Sequence, residues 1–327
     1  MNPRDSWGCT PALKVGDKEL ADNKEKAQAF MDSFFPPMAP AEDETPINAL
    51  SELSWEPISD VEVYRSLKAA KSLTAPGEDG LPTLIWKRLW AYIRNTITRI
   101  FTASIDLGYH PQRWRSARIV VLRKPGKPDY SLPGAYLPIS LLNTLGKLLE
   151  AVMARRLSFF AEKYGLLPDT QFGGRLGRTT EQALLVLANA IDRAWYRQKI
   201  VTLVAFDLNG AFNGVNKTSL DFRLRAKGIP TVLRRWISSF MSGRQANIGF
   251  DDYQSAVAPL ENVGLAQGSP LSPILFAFFN SDLVDQSVDF DGGASAFIDD
   301  YFRWRVGWTA EENLATIQFE DIPRIEA

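Results

Sequence analysis

The chain is poor in the residues most often used for acid–base and thiol chemistry. Its 327 residues include one histidine, His110, and one cysteine, Cys9. A zinc cage has too few such ligands, and a Ser-His-Asp triad or a Cys-His dyad would have to be built on His110 alone. A lone cysteine excludes an internal disulfide and is compatible with a reducing compartment. No apolar run reaches the roughly 18 residues that read as a membrane span. The first twenty residues show no apolar signal core. Internal repeats and low-complexity tracts are absent as well. If this sequence does chemistry, carboxylates and the metals they hold are the tools it has.

What is present fits a soluble globular protein: 45% of residues are apolar and 23% charged. The length suits two subdomains. The net charge of −1 conceals a strong asymmetry. Residues 1–80 carry 8 Lys/Arg against 15 Asp/Glu, residues 81–200 carry 19 against 7, and residues 201–327 carry 10 against 16. A basic middle third is what a polyanion-binding surface looks like, and equally what well-solvated helical faces look like.

Residues 1–56 read as a loosely ordered segment and acidic linker, with one short amphipathic stretch, NKEKAQAFMDSFF, before Pro36-Pro37. Residues 57–200 read as mostly helical. One helix starts near Ser59 or Asp60, and apolar spacing from Leu84 to Ile100 predicts one or two more. ARIVVLR (117–123) predicts a strand, the segment LPISLLNTLGKLLEAVMARRLSFFAEKYG is mostly helical by its periodicity, and Thr179 or Thr180 caps a helix beyond. From residue 201 the pattern changes. IVTLVAF reads as a buried strand, and two apolar-aromatic runs, ASAFI and YFRWRV, meet at Asp299-Asp300 as a tight hairpin. The mixture predicts an α+β fold, helices packed on a largely antiparallel sheet.

The aspartates are the chemical signal. Asp207 closes the strand VTLVAFD, and Asp299 and Asp300 lie at the hairpin. Each has a plain structural reading. A strand-end aspartate caps the next turn, and paired aspartates are good turn formers. If the three are neighbours, their repulsion calls for cations between them. Two hard divalent ions about 4 Å apart can activate an attacking hydroxyl and stabilise a leaving pyrophosphate.

The segments around these aspartates resemble, in order, the polymerase motifs of non-LTR (LINE-like) retrotransposon reverse transcriptases. FDLNGAFNGVN resembles the first aspartate motif, GLAQGSPLSPILFAFFN the Gln-Gly motif, and AFIDDYFRW the Y/F-x-D-D box. Upstream, TAPGEDGLP, RKPGKPDY with YLPISLLNTLGKLLE, and LLPDTQFGGRLGRTTEQALL resemble the fingers motifs. The match runs from about residue 60 to the C-terminus. The resemblance implies a right-hand polymerase, with fingers in 57–200 and palm in 201–327. The activity it implies is RNA-directed DNA synthesis, with two Mg²⁺ ions (Mn²⁺ as a substitute), dNTPs, an RNA template and a DNA primer, and no membrane partner. Asp207, Asp299 and Asp300 become catalytic metal ligands, with the Leu208 carbonyl completing one shell. Phe212 would sit under the sugar and exclude a 2′-hydroxyl. Gln267 and Gly268 would meet nucleotide and template, Arg118, Arg123 and Lys124 the phosphates, and Arg175 and Arg178 the template backbone. A nuclear location follows from the family alone.

Departures from the family pattern temper that expectation. Leu137 stands where the family usually has an arginine, in YLPIS, and Asn209 and Asn213 replace a lysine and an aspartate often seen in the first motif. The sequence stops at Ala327, before the further palm segment and thumb, so a truncated copy is expected. A catalytically inactive relic that still binds nucleic acid is the alternative. A right-hand RNA polymerase conflicts with Phe212, and a two-metal phosphatase leaves the fingers motifs unexplained.

Overall fold

A computed structural model describes residues 9–36, 49–207, 210–260 and 264–323, with the side chain of Asp207 outside the described part. In chain order the elements are β1 (Leu13–Val15), β2 (Lys18–Leu20), α1 (Asn23–Phe34), α2 (Asp60–Ala69), α3 (Thr83–Asp106), α4 (Gln112–Arg115), β3 (Ser116–Arg123), β4 (Tyr136–Leu142), α5 (Thr144–Tyr164), α6 (Thr180–Tyr196) and β5 (Ile200–Asp207). They continue as α7 (Lys217–Ala226), α8 (Thr231–Phe240), β6 (Arg244–Phe250), β7 (Tyr253–Gln254), β8 (Ala258–Leu260), α9 (Ser272–Phe279), α10 (Ser281–Val284), β9 (Gly292–Phe297), β10 (Asp300–Gly307) and α11 (Ala310–Thr316), which runs into a π-helical turn at Ile317–Asp321. The fold is mixed α+β. Two compact units emerge, and neither is a continuous stretch: residues 1–152 with 212–270, and residues 153–211 with 271–327.

The first unit is organised by a mixed sheet. β3 lies between antiparallel β4 and parallel β6, and β7 and β8 pair with β6. The segment 136–142, which reads as part of a helix, is the edge strand β4. Pro138 costs little there, because an edge strand has one side free of ladder bonds, and the match of Ile139 to Val120 and Leu141 to Arg118 fixes its register. The N-terminal segment is also more ordered than its composition suggests. Phe30 and Phe34 of α1 and Leu13 of β1 are buried with Tyr136, Ile119, Ile248 and Phe250, and ring packing of Phe30 on Tyr136 and Phe250 closes that core. The reason is non-local: α1 finds its apolar partners more than a hundred residues away.

Helix starts follow local rules. Ser59 and Glu62 form a reciprocal capping box on α2, and Thr179 and Gln182 form one on α6, each satisfying amides that the first helical turn leaves unpaired.

The second unit contains an antiparallel sheet of order β5-β10-β9. β10 is central, so Tyr301, Arg303, Trp304 and Val306 are buried. β5 is at the edge. The run that reads as a buried strand therefore leaves Ile200 and Leu203 close to half exposed, with α6 and α11 packed against it. Trp304 and Val306 join Leu187 and Ala194 of α6 in the core. Among the described residues no helix is long and apolar enough to cross a membrane.

Candidate active site

The antiparallel register of β5 and β10 sets Asp300 directly opposite Asp207. Directly paired residues in such a ladder have Cα atoms about 4.5–5.5 Å apart. β9 and β10 are joined through Ile298 and Asp299, because Phe297 pairs with Asp300. Asp299 therefore occupies the turn, whereas Asp300 opens the strand rather than sharing the turn. The backbone thus brings the three aspartate positions to one end of one sheet.

The hairpin turn is strained. Ile298 has φ of 59°, a left-handed conformation that a β-branched side chain strongly disfavours, at a cost of roughly 1–3 kcal/mol. The strain is held by packing from behind. Residues 170–174 run along β9: the Phe172 amide donates to Ala296, the Ala296 amide to Thr170, and Ser295 Oγ to the Thr170 carbonyl. At Gly173 the chain passes directly against the turn, and a Cβ there would fall on the backbone nitrogen of Ile298. Only glycine permits that approach. The run QFGGR signals it in the sequence through its paired glycines, although their partner is visible only in three dimensions.

Asp299 and Asp300 are exposed, and among the described residues no hydrogen bond or ion pair engages either carboxylate. Adjacent carboxylates without a neutralising group suit a divalent cation with open positions for phosphate oxygens. Among the described residues no cluster of three ligand-type side chains forms a metal site; the Asp207 side chain and Leu208 lie outside that description.

The basic residues of the same unit behave differently from the expectation. Arg175 is buried, with side-chain exposure of 2%, and its guanidinium grips Glu162 through Nε and Nη2 at 2.7 and 3.0 Å. Its Nη1 donates to the Pro168 and Gln171 carbonyls. With its donors occupied inside the turn, Arg175 supports the segment behind the hairpin and is not free to grip a template. Arg178 donates to the Asp169 carbonyl and carboxylate and stacks over Phe172, which leaves it a similar role.

The nucleotide-binding candidates Phe212, Gln267, Gly268, Arg118, Arg123 and Lys124 belong to the first unit. The Phe212 carbonyl accepts from the Leu265 amide, and the Asn213 carbonyl from Gly264, so the loop carrying Phe212 is zipped to the segment that leads to Gln267. The Gln267 carbonyl accepts from the Ser140 amide of β4. Gly268 has φ of 116°, and a Cβ there would meet the Ser140 carbonyl at 2.7 Å, so glycine is required twice over. Arg118 is exposed on β3 and has no ion pair among the described residues. Arg123 is already engaged, donating to the Cys9 carbonyl and stacking on Tyr130. Lys124 is half-buried, its amide bonded to Ala135.

One further residue carries no signal in the sequence. Glu150 of α5 is fully buried and accepts a hydrogen bond from Ser269 Oγ, the residue after Gly268. Burial raises its pKa, against the opposing effects of that bond and of Lys147 and Arg244. Arg244, buried as well, donates to the Gly264 carbonyl, and burial lowers its pKa to about 10. The pair thus braces the Gln267-Gly268 loop at both ends. A glutamate in the helical run LGKLLE gives no sign of this.

Comparison with known proteins identifies the family. The family described as reverse transcriptase (RNA-dependent DNA polymerase) matches residues 122–304, more than half of the chain. The chain belongs to the reverse transcriptase family, on its non-LTR, LINE-like side. It is 28% identical over 302 residues to a probable RNA-directed DNA polymerase from transposon X-element of Drosophila melanogaster, covering 90% of this chain and 33% of that protein. It is 30% identical over 234 residues to the RNA-directed DNA polymerase from mobile element jockey of the same species, covering 72% and 25%. A putative 115 kDa protein in the type-1 retrotransposable element R1DM is 31% identical over 281 residues, covering 85% and 25%. The chain spans a quarter to a third of the length of these relatives.

Proposed function

We propose that the chain carries the catalytic centre of an RNA-directed DNA polymerase, its β5-β10-β9 sheet serving as the palm and its β3–β4 region as part of the fingers. The observation that carries this reading is the direct pairing of Asp300 with Asp207 beside Asp299. Asp207, Asp299, Asp300 and the Leu208 carbonyl would hold two Mg²⁺ ions. When bound, such ions activate a primer 3′-hydroxyl and offset charge on the leaving pyrophosphate. The exposed hairpin carboxylates supply ligand oxygens without having to break any existing bond. Phe212, on a loop fixed by backbone bonds, sets the floor beneath the sugar and favours dNTPs. Gln267 and Gly268 present a braced turn to nucleotide and template, and Arg118 supplies an unpaired guanidinium for phosphate. Arg123 and Lys124 stand one strand-end further on. Arg175 and Arg178 act indirectly, by holding the segment that backs the hairpin.

Leu137, in β4, favours a second reading, an inactive member that retains nucleic-acid binding. The missing guanidinium removes a charge-assisted bond worth about 1.5–3 kcal/mol. Primer extension on an RNA template with Mg²⁺ or Mn²⁺ decides between them. The polymerase reading expects product that Asp299→Ala lowers by about 10³-fold, on the scale of losing a principal electrostatic group, and that Leu137→Arg raises by roughly 10-fold or more. Product that persists unchanged in Asp299→Ala removes the assigned site. No product from the parent or from Leu137→Arg leaves the inactive reading.

A further inference from the structure

Between Asp79 and Asp129 the sequence has ten Lys/Arg and a single carboxylate, Asp106. Four of those cations sit on α3, a 24-residue helix whose only acid is its last residue. Ile97, Phe101, Ser104 and Ile105 are buried. At 100° per residue the opposite face carries Arg88, Tyr92, Asn95 and Arg99, successive at i, i+4, i+7 and i+11. All four are exposed, Tyr92 by 85%. Among the described residues Arg88 and Arg99 have no ion pair and no side-chain hydrogen bond. The fourth cation, Lys87, is spent capping the end of α2, donating to the carbonyls of Lys68 and Ala70. The helices packed on α3 do not neutralise the stripe: α2 carries Asp60 and Glu62 in its first turn, with Glu62 closed into its capping box, and α8 carries no acid. An exposed aromatic between unpaired arginines on an acid-free face suits a polyanion that also offers flat rings.

We propose that this outward stripe of α3 docks single-stranded RNA, Arg88 and Arg99 on phosphates and Tyr92 on a base. The two arginines are eleven residues apart, about 16 Å along the helix. At about 3.4 Å of rise per nucleotide that length runs beside four or five nucleotides. Stacking on tyrosine gives affinity without sequence preference. The choice of RNA as the polyanion rests on the polymerase reading above; the surface itself does not.

The test is equilibrium binding of a 20-nucleotide oligouridylate RNA to the whole chain across a salt series, by fluorescence anisotropy. Each phosphate contact on a single strand contributes about 0.7 to the slope of log K against log salt. Arg88→Gln and Arg99→Gln are each expected to lower the slope by about that amount. Arg94→Gln, which removes the same charge from the same helix about 120° away, is expected to change it by less than a third as much. Tyr92→Ala is expected to weaken binding at least 5-fold with the slope unchanged. Equal slope changes in all three arginine variants would reduce the stripe to general electrostatics and overturn the proposal, as would no measurable binding by the parent at low salt. Displacement by polyglutamate as readily as by RNA, with Tyr92→Ala silent, would also overturn it. No step needs catalysis, so loss of primer extension with these slopes intact sinks the polymerase reading alone.

Discussion

Carboxylates in two regions of this molecule are treated in opposite ways. At the hairpin, Asp299 and Asp300 stand exposed, side by side, without a cation among the described residues, on a turn whose Ile298 is strained. In the first unit, Glu150 is sealed from solvent, with a hydrogen bond from Ser269 and the charges of Lys147 and Arg244 nearby. The buried carboxylate is compensated in part within the fold: one oxygen accepts from Ser269 and the other has no hydrogen-bond partner among the described residues, so its contribution is to the shape of the Gln267-Gly268 loop. The exposed carboxylates have no protein partner among the described residues and are left to solvent, which keeps their oxygens open. The Arg175–Glu162 pair belongs to the first kind, although its arginine reads in sequence like the second.

Breaking each should separate them. Glu150→Ala leaves Arg244 buried beside a vacated carboxylate site and is expected to destabilise the fold by about 3 kcal/mol, on the scale of an orphaned buried charge. Glu150→Gln keeps the Ser269 contact and should cost less. Chemical denaturation of both variants measures this; a change below about 0.5 kcal/mol in Glu150→Ala, the level of an ordinary surface substitution, would place Glu150 with the dispensable charges.

An effect of similar size sharpens the same contrast through pH. His110 is fully buried among Trp114, Trp236 and Phe240. Burial first, then the Arg115 charge, lowers its pKa to about 3. The unfolded chain, with an ordinary imidazole, binds more protons between about pH 6.5 and 3, so this residue's stabilisation is complete near neutrality and is lost as pH falls through that window. The expected loss is roughly 2–4 kcal/mol. His110→Phe should flatten the acid limb of the stability curve; an unchanged limb would show that the imidazole is not what acid titrates. The smallest effect belongs to the exposed carboxylates. Asp299→Asn should leave stability within about 0.5 kcal/mol of the parent, measurable in the same denaturation series.

Much of this was legible in the sequence where the physics is local. The caps at Ser59 or Asp60 and at Thr179 or Thr180 need only the first helical turn, although the choice within each pair and the reciprocal bonds of Glu62 and Gln182 come from the fold, and the meeting of two strand-like runs at Asp299-Asp300 reads directly as a hairpin. What was not legible depends on distant partners. β4 reads as helix because it runs without a break into the segment where Leu145, Leu148, Leu149, Val152 and Leu157 share a helical spacing, and only its register with β3 makes residues 136–142 a strand. IVTLVAF reads as buried because it is apolar, yet sheet order places it at an edge. The order of α1 depends on Tyr136 and Phe250. Arg175 carries the same letter as a template-gripping arginine, and its burial against Glu162 is invisible until the turn is folded.

The sharing of metal ions among Asp207, Asp299 and Asp300 is the central claim, and Mn²⁺ binding followed by electron paramagnetic resonance tests it most directly. The parent should show saturable binding that Asp207→Asn and Asp299→Asn each weaken by at least about 10-fold, the loss of one charge-assisted ligand. Binding that survives Asp207→Asn undiminished would contradict a site shared between the strand end and the hairpin.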